Sequence, residues 1–366
     1  FFVPPVALAA GGIVVWACLV YLRKRKAVAI KISHIPWDDV SSGTRKDVLV
    51  VDCTHDSLPC MTHHRLQRPP FCSGIHGDTT SDLVLSSIEK KITKLADISY
   101  VTVNHFDIDA LVSVWCLLNP DTSLEFADEL RECAHIGDFR ELDLSRKAAD
   151  KGLKLCCWLN TMEARNFSRP FEHGDADKWP YFLTPGRFLQ VLRNPEAFST
   201  EWKTEYEQVH SGLSQIAKSG RIRRYEDIDL CVIESPEPVH YYSLFSHTRG
   251  FDVVLSSYGA ANRMEIEQKY TQFVNLDSRP TFPRIEMITF TEMLNQLEQQ
   301  HRNSSSGKAG KADGTEWVCE RIVDTGPLLR LDRPAEKLSK AARYGHPFQR
   351  PIYPSHLPLD LVERLL

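Results

Sequence analysis

His105, Asp107 and Asp109 stand two residues apart in Asn104-His-Phe-Asp-Ile-Asp-Ala110. One imidazole with two carboxylates is a set that binds a divalent cation, and it suits Mn, Fe or Zn better than Mg. The residues before them, Ile98-Ser-Tyr-Val-Thr-Val-Asn104, read as a buried strand, and Ala110-Leu-Val-Ser-Val-Trp-Cys-Leu117 reads as an apolar helix. In extended backbone, positions i, i+2 and i+4 share one face, so the three side chains would project together at the strand's carboxyl end. That edge is where open α/β sheets hold ligands. Asp109 also suits a plainer role, as the cap of the helix that follows it.

A second cluster has the same setting. Asp47-Val-Leu-Val-Val-Asp52 is a continuous apolar strand of the buried parallel type, and Cys53-Thr-His-Asp56 follows it, with His63 and His64 further on. Neighbouring parallel strands end at one edge. If these two strands are neighbours, Asp52, His55 and Asp56 would meet His105, Asp107 and Asp109 there, and a two-metal site becomes possible. Asp78 and Asp138, the latter in Ile136-Gly-Asp-Phe139, end loops that could reach the same rim. Taken singly, each loop Asp reads as a cap or a turn, and His63-His64 as a solvated pair. The joint occurrence is what points to chemistry.

The elements that must position these residues follow a strand–loop–helix rhythm, which predicts an α/β fold with a parallel or mostly parallel sheet flanked by helices. Thr79 and Thr80 offer caps for a helix over 81–92, and helices are expected at 110–118 and 124–135. Helical spacing continues through 144–166, 188–193 and 198–218. Strands are expected at 229–234, 239–245, 251–257 and 259–270, a strand and then a helix over 285–297, and one more strand at 317–321. Residues 299–314, with Ser304-Ser-Ser-Gly-Lys-Ala-Gly-Lys311, read as a flexible loop. The organisation expected is an α/β domain over 47–225 holding the metal site and an α+β part over 226–366.

The chain has 366 residues, is 42% hydrophobic and 25% charged, and carries a net charge of -4. The mild acidity argues against a general nucleic-acid binder. Ten cysteines without a repeated C-x-x-C frame argue against a cysteine zinc site. Residues 1–22 carry no charge and are mostly apolar, long enough to cross a bilayer, and Arg23-Lys-Arg-Lys26 follows at once. The expectation is an N-terminal transmembrane helix that anchors the chain in a lipid bilayer, a basic juxtamembrane linker over 23–46, and a globular part on the cytosolic side.

Asn104-His-Phe-Asp-Ile-Asp-Ala-Leu-Val-Ser113 resembles the first motif of the Asp-His-His (DHH) phosphoesterases, His-x-Asp-x-Asp-Gly/Ala before a Ser-bearing helix. Val50-Val-Asp-Cys-Thr-His55 resembles their Asp-His-His motif, with Cys53 where the first His is expected. Ala134-His-Ile-Gly-Asp138 resembles their later Gly-x-x-Asp element. The order is permuted, and the resemblance covers about residues 47–140. The overall arrangement is also similar to an uncharacterised domain family of bacteria and plants. The DHH resemblance implies two Mn or Mg ions that activate water against a phosphodiester or pyrophosphate. It implies His105, Asp107, Asp109, Asp52 and Asp138 as metal ligands, with His55 binding metal or substrate. A small phosphorylated substrate would need cations, for which Arg263, Lys269, Arg279 and Arg284 are the candidates, each open to a bland reading as a solvated strand face.

No P-loop, G-x-G-x-x-G, H-E-x-x-H or G-x-S-x-G motif occurs. Two functions follow. The first is a membrane-anchored, metal-dependent phosphoesterase-like hydrolase. The second is a non-catalytic membrane-tethered α/β module that binds a small ligand or a protein.

Overall fold

Val48–Val51 is four buried apolar residues in a row, a pattern stable only in a strand covered on both faces. This strand (β2) lies in a four-stranded sheet with β1 (Ser33–His34), β3 (Cys60–Met61) and β4 (Tyr100–Thr102). The order is β1-β4-β2-β3 and every pairing is parallel. All four strands therefore deliver their carboxyl ends to one edge. The structure is a computed structural model that describes residues 31–40, 47–65, 70–167, 175–305, 314–322, 326–336 and 345–366.

Helices α1 (Thr80–Glu89) and α2 (Ile108–Leu118) pack on each other and on this sheet. A capping box starts α1: the Thr79 hydroxyl accepts from Asp82 N, and the Asp82 carboxylate accepts from Thr79 N. α3 (Ala127–Phe139) packs on α2 and on α4 (Ala149–Asn166), which in turn packs on α5 (Ser199–Ser219). One continuous apolar core joins the sheet to these helices.

The second half is built on a six-stranded mixed sheet, β5 (Arg221–Tyr225), β6 (Leu230–Ser235), β7 (Val253–Tyr258), β8 (Arg263–Gln268), β9 (Glu316–Ile322) and β10 (Gly326–Asp332). Its order is β5-β6-β7-β8-β10-β9, with β6 and β7 parallel and the other pairs antiparallel. Helix α6 (Tyr241–His247) connects β6 to β7. A long helix, α7 (Met287–Ser305), packs on β9 and β10 over a second core.

Several expectations need correction. The fold is α/β in content, but the larger sheet is the mixed one, and it begins at Arg221. Helix α6 stands where a strand over 239–245 is expected. The His240 side chain accepts from Tyr242 N at the start of that helix, and Tyr242, Leu244 and Phe245 are buried. Tertiary packing there overrides the strand preference of aromatic residues. Residues 285–297 contain no strand, and α7 runs on to Ser305, so 299–305 are helical while 306–313 lie outside the described residues. The expected transmembrane helix at 1–22 and much of the linker at 23–46 also lie outside them. Among the described residues, no helix is long and apolar enough to cross a membrane. The longest ones, α5 and α7, carry charged faces, so the structure does not support the single-pass membrane placement.

Candidate metal centre

Three strand ends and one helix end build the site. β2 ends on Asp52, whose backbone turns into the left-handed region at φ 53°. Asp tolerates that conformation better than most residues, and it swings the buried carboxylate onto the rim. β3 leads through Thr62 to His63 and His64, and β4 leads into Asn104, His105 and Asp107. Asp138 arrives on the last turn of α3. Gly137 lets that turn close in, because a Cβ there would stand 2.6 Å from Ile108 Cβ at the start of α2.

Three overlapping ligand sets result, each with its ligating atoms within 4.8 Å of one another: Asp52, His105 and Asp107; Asp52, His63 and His64; His63, Asp109 and Asp138. Asp52 and His63 each belong to two sets. His105 Nε2 lies 3.0 Å from Asp107 Oδ2 and 3.4 Å from Asp52 Oδ2. Its Nδ1 is 2.7 Å from Asn104 Oδ1, an acceptor, and Nε2 donates to the carboxylates. Burial would lower the pKa of the ring, but Asp107 and then Asp52 outweigh burial and raise it well above the usual imidazole value. A metal on Nε2 would therefore displace a proton there, while Asn104 keeps the one on Nδ1.

A similar argument fixes His63. Thr80 Oγ1 donates to Asp52 Oδ1 at 2.8 Å, so His63 Nδ1, 2.9 Å from Thr80 Oγ1, is the donor of that pair. Its Nε2 then turns a lone pair toward Asp138 Oδ2, 3.1 Å away. Two lone pairs at that distance repel unless a proton or a cation lies between them. Asp138 Oδ2 is buried and makes no hydrogen bond.

Asp107 and Asp109 split their duties. Asp107 is the cap of α2, its Oδ1 accepting from Ala110 N at 2.8 Å while Oδ2 faces His105. Asp109 sits on the N-terminus of a different helix, accepting from Thr80 N at 2.7 Å and Ser81 N at 2.9 Å. Those are two of the unsatisfied donors at the start of α1. The shared face inferred from i, i+2, i+4 spacing is thus not the geometry. β4 stops at Thr102, Asp109 is already helical, and the two carboxylates belong to different ligand sets.

The electrostatics favour a cation. Burial, then the Asp107 charge, pushes Asp52 up to about 6. Burial, then the Asp52 charge, pushes Asp109 up to about 8. Burial together with the Asp109 and Asp107 charges raises Asp138 well above the carboxylate range. Asp107 goes the other way: burial would raise it, but His105 outweighs that and holds it at about 2. Burial, then His63 and His105, drops His64 to about 3. Buried carboxylates that repel one another and raise the proton affinity of Asp52, Asp109, Asp138 and His105 form the arrangement a divalent cation relieves, by taking the place of those protons. The donor set fits such an ion. Buried acidic and histidine groups here could hold a metal.

A cavity of about 380 Å³ opens over the centre, lined by Asp52, His64, Arg65, His105, Asp107 and Asp138 among others. Cys53 also lines it, but burial pushes its thiol to about 12, so it is no thiolate at neutral pH.

The chain belongs to DUF6687, a family of unknown function. That family's model matches residues 30–366, so the whole centre lies within the matched region. No curated protein and no solved structure matches the chain.

The other residues singled out from the sequence lie elsewhere. His55 Nδ1 accepts from Ser57 N and Leu58 N, the ring meets Trp37 edge-on, and His55 joins none of the ligand sets. Asp78 accepts from Asp277 N and Ser278 N. Lys269, Arg279 and Arg284 form a buried ion network with Glu141 and Asp252, and Arg263 pairs with Glu237. Those charges are spent on the protein itself, so the expected phosphate clamp is not assembled from them. Arg65 is the one Lys or Arg among the described residues lining the cavity. His63, His64 and Arg65 are the residues that sequence reasoning undervalued. Their one signal was the apolar pair Cys60-Met61 just upstream, a strand too short to show a period.

Glu205, His240 and His346 also bring ligating atoms within 4.8 Å of one another. There, His240 Nδ1 accepts from Tyr242 N, so the proton sits on Nε2, which lies 3.3 Å from Glu205 Oε1. A metal on Nε2 would need an imidazolate, and this second set is a poor metal site.

Proposed function

We propose that this chain is a metal-dependent phosphoesterase-like hydrolase acting on a phosphodiester or pyrophosphate, with Mn or Mg at the Asp52–His63–His105 rim. The observation that carries this reading is the set of overlapping ligand triads sharing Asp52 and His63 beneath an open cavity. The likeness of residues 104–113 to the first DHH motif supports the same chemistry. Asp52, His105 and Asp107 would hold one ion, and His63, Asp109 and Asp138 a second. Bound there, such ions lower the pKa of a water and neutralise phosphoryl oxygens. Arg65 offers a cation to the non-bridging oxygens at the mouth of the site. Asn104 and Thr80 accept the Nδ1 protons of His105 and His63, so Nε2 is the nitrogen each ring would offer to an ion.

The test is hydrolysis of bis(p-nitrophenyl) phosphate and of pyrophosphate by the full chain, with Mn or Mg and with chelator. The reading expects metal-dependent turnover of one of them, abolished in His105→Ala and Asp107→Ala. Stoichiometric metal with no turnover of either substrate would favour the non-catalytic, ligand-binding module instead.

A further inference from the structure

The rim does not end at the metal centre. Asn104 and His105 form a partition, and on its far side, toward β1, lies a larger cavity of about 820 Å³ that these two residues also line. Its walls are mostly apolar and aromatic, including Trp37, Trp115, Trp179, Leu118, Leu183 and Leu189. The rings are braced. His34 stacks on Trp179 with centroids 4.8 Å apart, Phe106 meets Trp179 edge-on at 5.1 Å, and Trp115 meets Phe188 edge-on at 5.3 Å.

The polar groups on these walls are largely committed. Asp175 accepts from Phe106 N and from Lys178 Nζ. Asn119 Nδ2 donates to Trp115 O, Thr184 Oγ1 donates to Pro180 O, and Asn104 Oδ1 is held by His105. What remains is His34 Nε2, a buried atom with no hydrogen-bond partner. Burial holds the His34 ring neutral, with its pKa lowered to about 4. Among the described residues, no Lys or Arg lines this cavity, while Asp38 and Asp175 do. A polyphosphate or a nucleic-acid backbone would meet no counter-charge here and would face carboxylates. The volume falls in the range that encloses a small organic molecule.

We propose that this cavity is a subsite for the organic part of the substrate, an uncharged aromatic ring system carrying one hydrogen-bonding substituent for His34 Nε2. The phosphoryl end would then lie across the Asn104–His105 partition at the metal rim. Only that second half rests on the phosphoesterase reading; the ring subsite stands on the cavity. The substrate class it names is a phosphoester of an aromatic alcohol rather than an oligonucleotide or an inorganic polyphosphate.

Calorimetric titration of the full chain with 2-naphthol and with 2-decalol, the saturated alcohol on the same bicyclic skeleton, tests the proposal without metal or turnover. One-to-one binding of 2-naphthol is expected, about fivefold or more tighter than 2-decalol, since only an aromatic ring stacks on Trp179 and His34. His34→Phe keeps the stack and removes the nitrogen, so it should bring 2-naphthol to the affinity of naphthalene. Trp179→Leu should erase the preference over 2-decalol, and His34→Phe covers the case in which that variant does not fold. Equal affinity for the two alcohols, no binding of 2-naphthol by the folded protein, or 2-naphthol binding unchanged in His34→Phe would each overturn the subsite. Failure of metal-dependent hydrolysis with 2-naphthol binding intact would remove the phosphoesterase reading and leave the subsite standing.

Discussion

Single side chains here are defined by their second hydrogen bonds. Thr80 does not line the cavity over the centre, yet its hydroxyl sets both the Asp52 carboxylate and the His63 tautomer. Thr80→Val removes that link while conserving shape, and it should weaken Mn binding about 10–100-fold, read by calorimetry. Proton competition gives a second prediction. Asp109 sits at about 8 in the metal-free protein, so below that pH it holds a proton that a metal must displace. Mn affinity should therefore rise as pH goes from about 6 through about 8, with proton release seen as a dependence of the binding heat on buffer. A pH-independent affinity would show that Asp109 does not bind the ion. At this scale His105, Asp107, Asp109, Asp52 and Asp138 were legible, because acids and imidazoles at strand ends stand out in type. Which helix each would cap was not. Asp109 was read as a possible cap of its own helix, and it serves α1, 29 residues upstream of it at Thr80. That contact depends on how α1 and α2 cross, which no local pattern encodes.

Close approach and spent charge are properties of elements. α3 reaches the rim because Gly137 lets it lie against Ile108. Gly137→Val should drive that turn away, cost the contribution of Asp138 and lower metal affinity, with circular dichroism showing an intact fold. Glu141 follows the end of α3 and is buried 2.7 Å from Lys269 Nζ, just after β8, and 3.0 Å from Arg279. Burial would raise its pKa, but Lys269 and then Arg279 outweigh burial and hold it at about 2. A carboxylate whose folded pKa lies below its unfolded one stabilises above the unfolded value, and that stability is lost as pH falls from about 4.5 toward about 2. Glu141→Ala should strand two buried cations and cost about 3–5 kcal/mol, measured by denaturant unfolding. A loss below ~1 kcal/mol would contradict the assignment of these cations to the fold rather than to substrate. The strands β2 and β4 were readable from their apolar runs. β1 and β3 have two residues each, too few to show a period, so the histidines after β3 and the aromatic cavity after β1 were hidden behind them.

The whole molecule carries two sheets and places its chemistry on one edge of the smaller. Every strand of that sheet is parallel, so one edge collects four chain segments: aromatic rings from the β1 side, metal ligands from β4, β2 and β3. The alternation of strand and helix in residues 47–140 made the parallel sheet readable, whereas the mixed sheet's order depends on β10 inserting between β8 and β9, which sequence order does not suggest. The central claim is that the acids and imidazoles at this edge share divalent cations. Metal analysis of the purified full chain by mass spectrometry, before and after incubation with Mn and for the Asp52→Asn variant, tests it most directly. The account predicts bound Mn near two ions per chain, a melting temperature that rises with it, and in Asp52→Asn the loss of at least one ion and a smaller rise, since Asp52 would hold the ion shared with His105 and Asp107. A folded chain that binds no Mn, Mg, Zn or Fe and melts at the same temperature with and without them would contradict it.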